Sequence, residues 1–183
     1  MNKGKTDNTY LGDKIKLRME FLPRKRNINV LDLFAGDGLI WGTIKNKTKR
    51  NINITSIDKK EDTEKFHLIG DNRKYLPSLN LKKYDVIDID SYGIPYDQID
   101  FILKSNFIGE IFMTCIKDPR GPIPMKMALF LGYTEKMYKK CPTLISKNHF
   151  NKLKKVLTKN GIFNINYIEH QSKYYYINFK KEK

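Results

Sequence analysis

In the stretch Val30-Leu31-Asp32-Leu33-Phe34-Ala35-Gly36-Asp37-Gly38, an apolar run ends in an acid, and a small-residue turn carrying two glycines leads into helix-like sequence. An α/β protein presents a strand end, a tight turn and a helix N-terminus to a nucleotide-like ligand in this way. Gly36 and Gly38 let the backbone approach a ligand closely, with torsions that a side chain would penalise. Asp32, at the strand's carboxyl end, can pair with the cationic amino group of an amino-acid moiety. The stretch is not the dinucleotide fingerprint G-x-G-x-x-G, because Leu39, Ile40 and Trp41 stand where the third glycine's neighbourhood would be.

Working outward, apolar positions Leu11, Ile15, Leu17, Met19 and Leu22 predict an amphipathic helix over residues 10–22, stopped by Pro23. Strands are predicted at 28–34, 52–57, 66–69, 84–89 and 107–114, with helical segments at 39–47, 73–79 and 95–105 between them. The segment between the second and third strands is short enough for its helix to be reduced to a turn. A Pro/Gly-rich loop covers 117–124, and short helices are predicted at 125–131 and 134–138. Ser146 is the expected cap of a longer helix ending at Asn160-Gly161, and 162–168 with 174–179 form a final antiparallel pair. Strand–helix alternation followed by a hairpin predicts a mostly parallel sheet with helices on both faces and an antiparallel C-terminal edge. One domain spans 28–183, preceded by a basic helical extension over 1–27.

The chain has 183 residues, 40% of them hydrophobic, enough for one packed core. No apolar run approaches the ~20 residues of a membrane span, so no membrane partner is expected. The charged N-terminus lacks the apolar core of a signal peptide. Cys115 and Cys141 make neither a disulfide framework nor a metal site, and His67, His149 and His170 lack ligand spacing. A reduced, cytoplasmic protein without a metal is expected. The net charge of +15 favours a nucleic-acid partner, although 29 lysines against six arginines also fit a compositional bias. Arg18, Arg24 and Arg26, with Lys14, Lys16 and Lys25, form a basic cluster before the first strand, and the three arginines are candidate phosphate contacts.

Strand, acid and glycine turn together resemble the first motif of class I S-adenosylmethionine-dependent methyltransferases, in its V-L-D-L-F-A-G-x-G form. The resemblance covers 28–179 and implies a Rossmann-like, mostly parallel seven-stranded sheet. It implies S-adenosyl-L-methionine as cofactor, held by Asp32, Phe34, Ala35, Gly36 and Gly38. Asp58, 20 residues beyond Gly38 and at the end of strand two, is placed to hydrogen-bond the ribose hydroxyls, with Lys59 beside it. Asp71 and Asn72, after strand three, would line the adenine, and Asp88 completes the implied cofactor set.

The stretch Asp88-Ile89-Asp90-Ser91-Tyr92-Gly93-Ile94-Pro95 carries the acceptor chemistry. Alternation puts Asp88 and Asp90 on one face of strand four. An acid at the strand end, then a turn and an aromatic, resembles the fourth motif of amino-methyltransferases. Read from Asp85, it is most similar to tRNA guanine-N2 dimethyltransferases, with Ser91 in place of their proline. An exocyclic ring amine is a poor nucleophile. An acceptor such as Asp90 can hold its hydrogens, and Tyr92 can stack on the base and fix the nitrogen in line with the methyl group. Gly93 and Pro95 flank that position, and Arg120, in the loop after strand five, is a further candidate for phosphate. Tyr174-Tyr175-Tyr176 also suggests stacking, with at least one of the three in the core. Cys115 as a pyrimidine-C5 nucleophile is disfavoured, because a Pro-Cys in the fourth motif is absent.

The expected function is methyl transfer to an exocyclic amine of a nucleobase in nucleic acid, guanine N2 in RNA by preference. Alternatives are a DNA amino-methyltransferase, a small-molecule or protein methyltransferase, and a non-catalytic cofactor-binding module assisting a partner protein. A homo-oligomer is also compatible with the sequence.

Overall fold

The computed structural model describes residues 10–59, 67–117, 119, 121–143, 149–170 and 174–182. Seven strands form one sheet: β1 (Asn27–Asp32), β2 (Asn51–Asp58), β3 (His67–Ile69), β4 (Val86–Asp90), β5 (Gly109–Ile116), β6 (Ile165–Glu169) and β7 (Tyr174–Lys181). Their order is β3-β2-β1-β4-β5-β7-β6. The pairs among β1 to β5 are parallel, and β7 runs antiparallel to β5 and to β6. The antiparallel C-terminal pair therefore closes one side of the sheet, with β7 inserted inside and β6 outermost.

Among the described residues the α-helices are α1 (Leu11–Glu20), α2 (Leu39–Lys47), α3 (Asn72–Tyr75), α4 (Tyr96–Lys104), α5 (Met125–Phe130), α6 (Glu135–Lys140) and α7 (His149–Lys159). Alternation along the strands sends side chains to two cores. Ile28, Val30, Val86 and Phe112 pack with Ile15 and Leu22, from α1 and the turn after it, and with Trp41 and Ile44 of α2. Leu31, Ile87, Ile111 and Ile177 pack on the other face with Ile99 and Ile102 of α4, Met127 of α5, and Leu153 and Leu157 of α7. Both faces are covered, so the central strands read as nearly continuous apolar runs, as parallel strands do.

The element boundaries move by one to three residues from the sequence expectation. β6 starts three residues later than expected, and β4 and β5 start two residues later and run further toward their carboxyl ends, to Asp90 and Ile116. Gly109 opens β5 at a position that admits no side chain. Its φ is +155°, and a Cβ there would stand 2.4 Å from the carbonyl oxygen of Asp85. Ser146 and residues 60–66, between β2 and β3, lie outside the described residues. Among the described residues, no helix is long and apolar enough to cross a membrane, and no group of three metal-ligating side chains occurs.

Candidate active site

A cavity of about 280 Å³ opens at the carboxyl ends of β1, β2, β4 and β5. This is where doubly wound sheets bind ligands, at the point where strand order reverses, here between β1 and β4. The turn after β1 forms one wall. Gly36 and Gly38 have φ of +53° and +66°, the left-handed region that favours glycine. Phe34, Ala35 and Gly36 line the cavity, whereas Gly38 stands behind them as the residue before α2. Asp58 closes β2 and accepts a 2.7 Å hydrogen bond from the Gly36 amide, which ties the turn to the neighbouring strand. Asp58 and Lys59 both line the cavity.

Asp32 is 5% exposed and accepts a hydrogen bond from the Phe34 amide at 3.3 Å. It makes no ion pair among the described residues. Burial, then the like charges of Asp88 and Asp90, push its carboxyl well above the usual carboxylate range. A buried acid on a cavity wall, without a cation of its own, suits a ligand that brings one.

Across the cavity stand Asp90, Ser91 and Tyr92. Asp90 Oδ2 accepts from Lys14 Nζ at 2.8 Å, and Asp90 Oδ1 accepts from Thr114 Oγ1. The Ser91 hydroxyl is buried, 3.4 Å from the carbonyl oxygens of Gly93 and Thr114, so the turn is tied to β5 where the resembling motif uses a proline ring. Tyr92 is 58% exposed at the cavity rim.

Several expectations need correction. Arg18 is not a surface phosphate contact. It is 1% exposed and grips Asp88 with Nε and Nη2, each at 2.6 Å. Burial alone would lower its pKa, but the Asp88 carboxylate more than reverses this and holds the guanidinium charged. Asp88 also accepts from Trp41 Nε1 at 2.7 Å and does not line the cavity, so it supports the site from beneath and does not hold a ligand. Arg24 and Arg26 are exposed, but they precede β1 and lie at the opposite end of the sheet from the cavity.

Asp71 lies off the cavity wall. It caps α3 through the Arg73 amide and binds the Arg73 guanidinium at 2.6 Å, with Lys59 Nζ at 3.6 Å. The Arg73 hydrogen bonds hold its carboxyl well below the usual range. Asn72 does line the cavity, but its side chain is engaged internally. Nδ2 donates to the Leu33 carbonyl at 2.6 Å, and Oδ1 accepts from Gln98 at 2.7 Å. That leaves its backbone to face a ligand. Gly93 and Pro95 shape the entry to α4 and are not cavity residues. Arg120 lies outside the described residues. Cys115 points into the opposite core, fully buried, with Sγ 3.6 Å from His149 Nε2.

The sequence reading missed Leu11 and Lys14 of α1, Thr114, and the role of Tyr174 and Tyr176 as cavity walls. Tyr175, between them, stacks on Phe150 at 3.8 Å on the other face of the sheet. The missed signal was spacing. Positions 14 and 18 stand about 6 Å apart along a helix, and positions 88 and 90 about 6.6 Å apart along a strand, so two cations match two acids.

No family model and no curated protein matches this chain. Solved structures do resemble it. A SAM-dependent methyltransferase from Archaeoglobus fulgidus superposes with a TM-score of 0.57 at 15% identity, over 96% of this chain and 95% of that one. A protein assigned as a class I S-adenosylmethionine-dependent methyltransferase from Listeria monocytogenes gives 0.57 at 15% identity, over 98% and 61%. Phosphoethanolamine N-methyltransferase 2 of Haemonchus contortus, in complex with phosphomonomethylethanolamine and S-adenosylhomocysteine, gives 0.59 at 10% identity, over 94% and 53%. The chain thus spans just over half the length of the last. At these identities the likeness establishes the Rossmann-like fold of class I methyltransferases.

Proposed function

We propose that this protein is an S-adenosylmethionine-dependent methyltransferase acting on an exocyclic amine of a nucleobase in nucleic acid, with guanine N2 in RNA the preferred acceptor. One observation carries the reading. A single cavity is walled by Asp58, Asp32 and the Gly36 turn on the β2–β1 side, and by Asp90, Ser91 and Tyr92 on the β4 side. The donor set fits the cofactor. Asp32 offers a buried carboxylate to an ammonium, and Asp58 offers carboxylate oxygens to two vicinal hydroxyls. The Gly36 turn lets the backbone come close to an amino-acid moiety.

When bound, S-adenosylmethionine supplies an electrophilic methyl group on a sulfonium sulfur. The chain's own groups do the rest. Asp90 accepts a hydrogen bond from the ring amine and stabilises the positive charge that develops on nitrogen. Tyr92 stacks on the base and fixes the nitrogen's approach. A base inside a helix must be unstacked before it reaches that position.

The test is incubation with radiolabelled cofactor and total RNA or total DNA, followed by nucleoside mass spectrometry. N2-methylguanosine is expected from RNA, and label confined to DNA would move the assignment to a DNA amine. Asp90→Ala should keep cofactor affinity and lose about 10²- to 10⁴-fold in transfer. Absence of heat on titrating S-adenosylmethionine or S-adenosylhomocysteine into folded protein removes the whole reading.

A further inference from the structure

Asp90 is held by a residue of α1, the helix that precedes the first strand. Lys14 of α1 and Asp90 are 12% and 13% exposed, and their 2.8 Å ion pair stands on the cavity wall. Lys14 is not loosely placed. Its ammonium lies 5.5 Å from the centre of the Tyr176 ring, and its carbonyl accepts from Arg18 Nη1 at 3.0 Å. Arg18 is in turn locked onto Asp88.

Both Asp90 oxygens therefore already take a hydrogen, one from Lys14 and one from Thr114. A carboxylate has lone pairs for a further hydrogen bond, so a neutral N–H can still dock there. A proton placed on Asp90, however, would remove the charge that pairs with the nearly buried Lys14 ammonium and leave that cation without its counter-ion. This separates two classes of amine. An alkylamine arrives as an ammonium at neutral pH, needs a base to take its proton, and would meet the like charge of Lys14. A ring-conjugated amine arrives neutral, and its methylated nitrogen is acidic enough to release a proton to water.

We propose that Lys14 is a positioning residue that sets the acceptor class. With its ammonium fixed on Asp90, the site takes a neutral, ring-conjugated amine and rejects alkylammonium acceptors. The proposal rests on the methyltransferase reading above. In the step it describes, the amine lone pair forms the N–C bond as the S–C bond breaks to leave a neutral thioether. The nitrogen then loses its proton to water, and Asp90 remains a carboxylate throughout.

The experiment uses the whole chain with labelled cofactor and three acceptors: total RNA, phosphoethanolamine and a lysine-containing peptide. Cofactor affinity is measured alongside by calorimetry. The wild-type protein should label RNA and leave both alkylamines unlabelled, a comparison that needs no variant. Lys14→Met should keep cofactor affinity and lose about 10²-fold in kcat on RNA, the scale of a misplaced reacting group. Lys14→Arg should restore most of that loss. Wild-type labelling of an alkylamine as readily as RNA would overturn the proposal, and so would a Lys14→Met protein turning over like wild type. A wild-type protein that binds no cofactor fails at the earlier reading and takes this one with it.

Discussion

Arg18 and Asp88, 70 residues apart in sequence, form a two-point ion pair inside the protein, each 1% exposed, that fastens α1 to the centre of the sheet. Trp41 of α2 donates to the same carboxylate, so one acid joins two helices and β4. Removing one partner of such a pair leaves the other charge buried and uncompensated. Arg18→Met should cost about 3–5 kcal/mol. At about 2–4 °C per kcal/mol for a chain of this size, melting should fall by about 6–20 °C. A thermal scan checks this. A drop of only a degree or two would mean that Asp88 finds another partner.

Arg24 and Arg26 follow the opposite logic. They lie beyond the amino end of β1, remote from the cavity, and are exposed. If nucleic acid is bound at the carboxyl edge through about four phosphates, the log–log dependence of affinity on salt should have a slope of roughly −3. Arg24→Ala and Arg26→Ala should leave both affinity and slope unchanged in a filter-binding titration. A slope reduced by about one for either variant would place a phosphate track on the far end of the sheet.

Cys115 provides a check on packing that is independent of any ligand. Burial in the core beneath α5 and α7 pushes its thiol up to about 12, so it stays protonated and unreactive at neutral pH. Cys141 is exposed. A disulfide-exchange reagent should titrate one thiol in the native protein and the second only on unfolding. Two fast thiols would contradict the core described here.

The parts of the site that were legible in the sequence are those held by local chain geometry. The Gly36-Gly38 turn, Asp58 at a strand end and Asp90 before a turn each sit where a few neighbouring residues fix the backbone, and all except Gly38 reach the cavity wall. What was misread depends on contacts between distant segments. The basic cluster before β1 read as one surface patch, yet α1 and the turn after it divide it. Arg18 enters the core, Lys14 reaches the cavity, and Arg24 and Arg26 stay in solvent. Asp71 was expected to face a ligand but found a closer partner in Arg73, whereas Asn72 lines the cavity with its side chain taken by the Leu33 carbonyl and Gln98. Polar side chains near a site take whichever donor or acceptor the tertiary structure brings nearest, and neighbouring sequence does not reveal it.

Asp32 gives the sharpest test of ligand charge. Its carboxyl is raised by burial and by the like charges of Asp88 and Asp90, and in the unfolded chain it would titrate at about 3.9. Between that value and its folded one, the native state binds more protons than the unfolded state. Stability without ligand therefore falls as pH rises through this window. Once ionised, the buried charge lacks an ion pair among the described residues, and a bound ammonium would supply one. Asp32→Asn removes that charge at nearly constant shape, so at neutral pH the variant should melt above the wild type in the absence of ligand. Adding S-adenosylmethionine at a hundredfold excess over its Kd should stabilise the wild type by about 2.7 kcal/mol. That corresponds to about 5–11 °C at this chain length. The variant should show little of that gain. If it instead melts lower than wild type and keeps the full ligand-induced shift, Asp32 is a structural acid and the cation sits elsewhere.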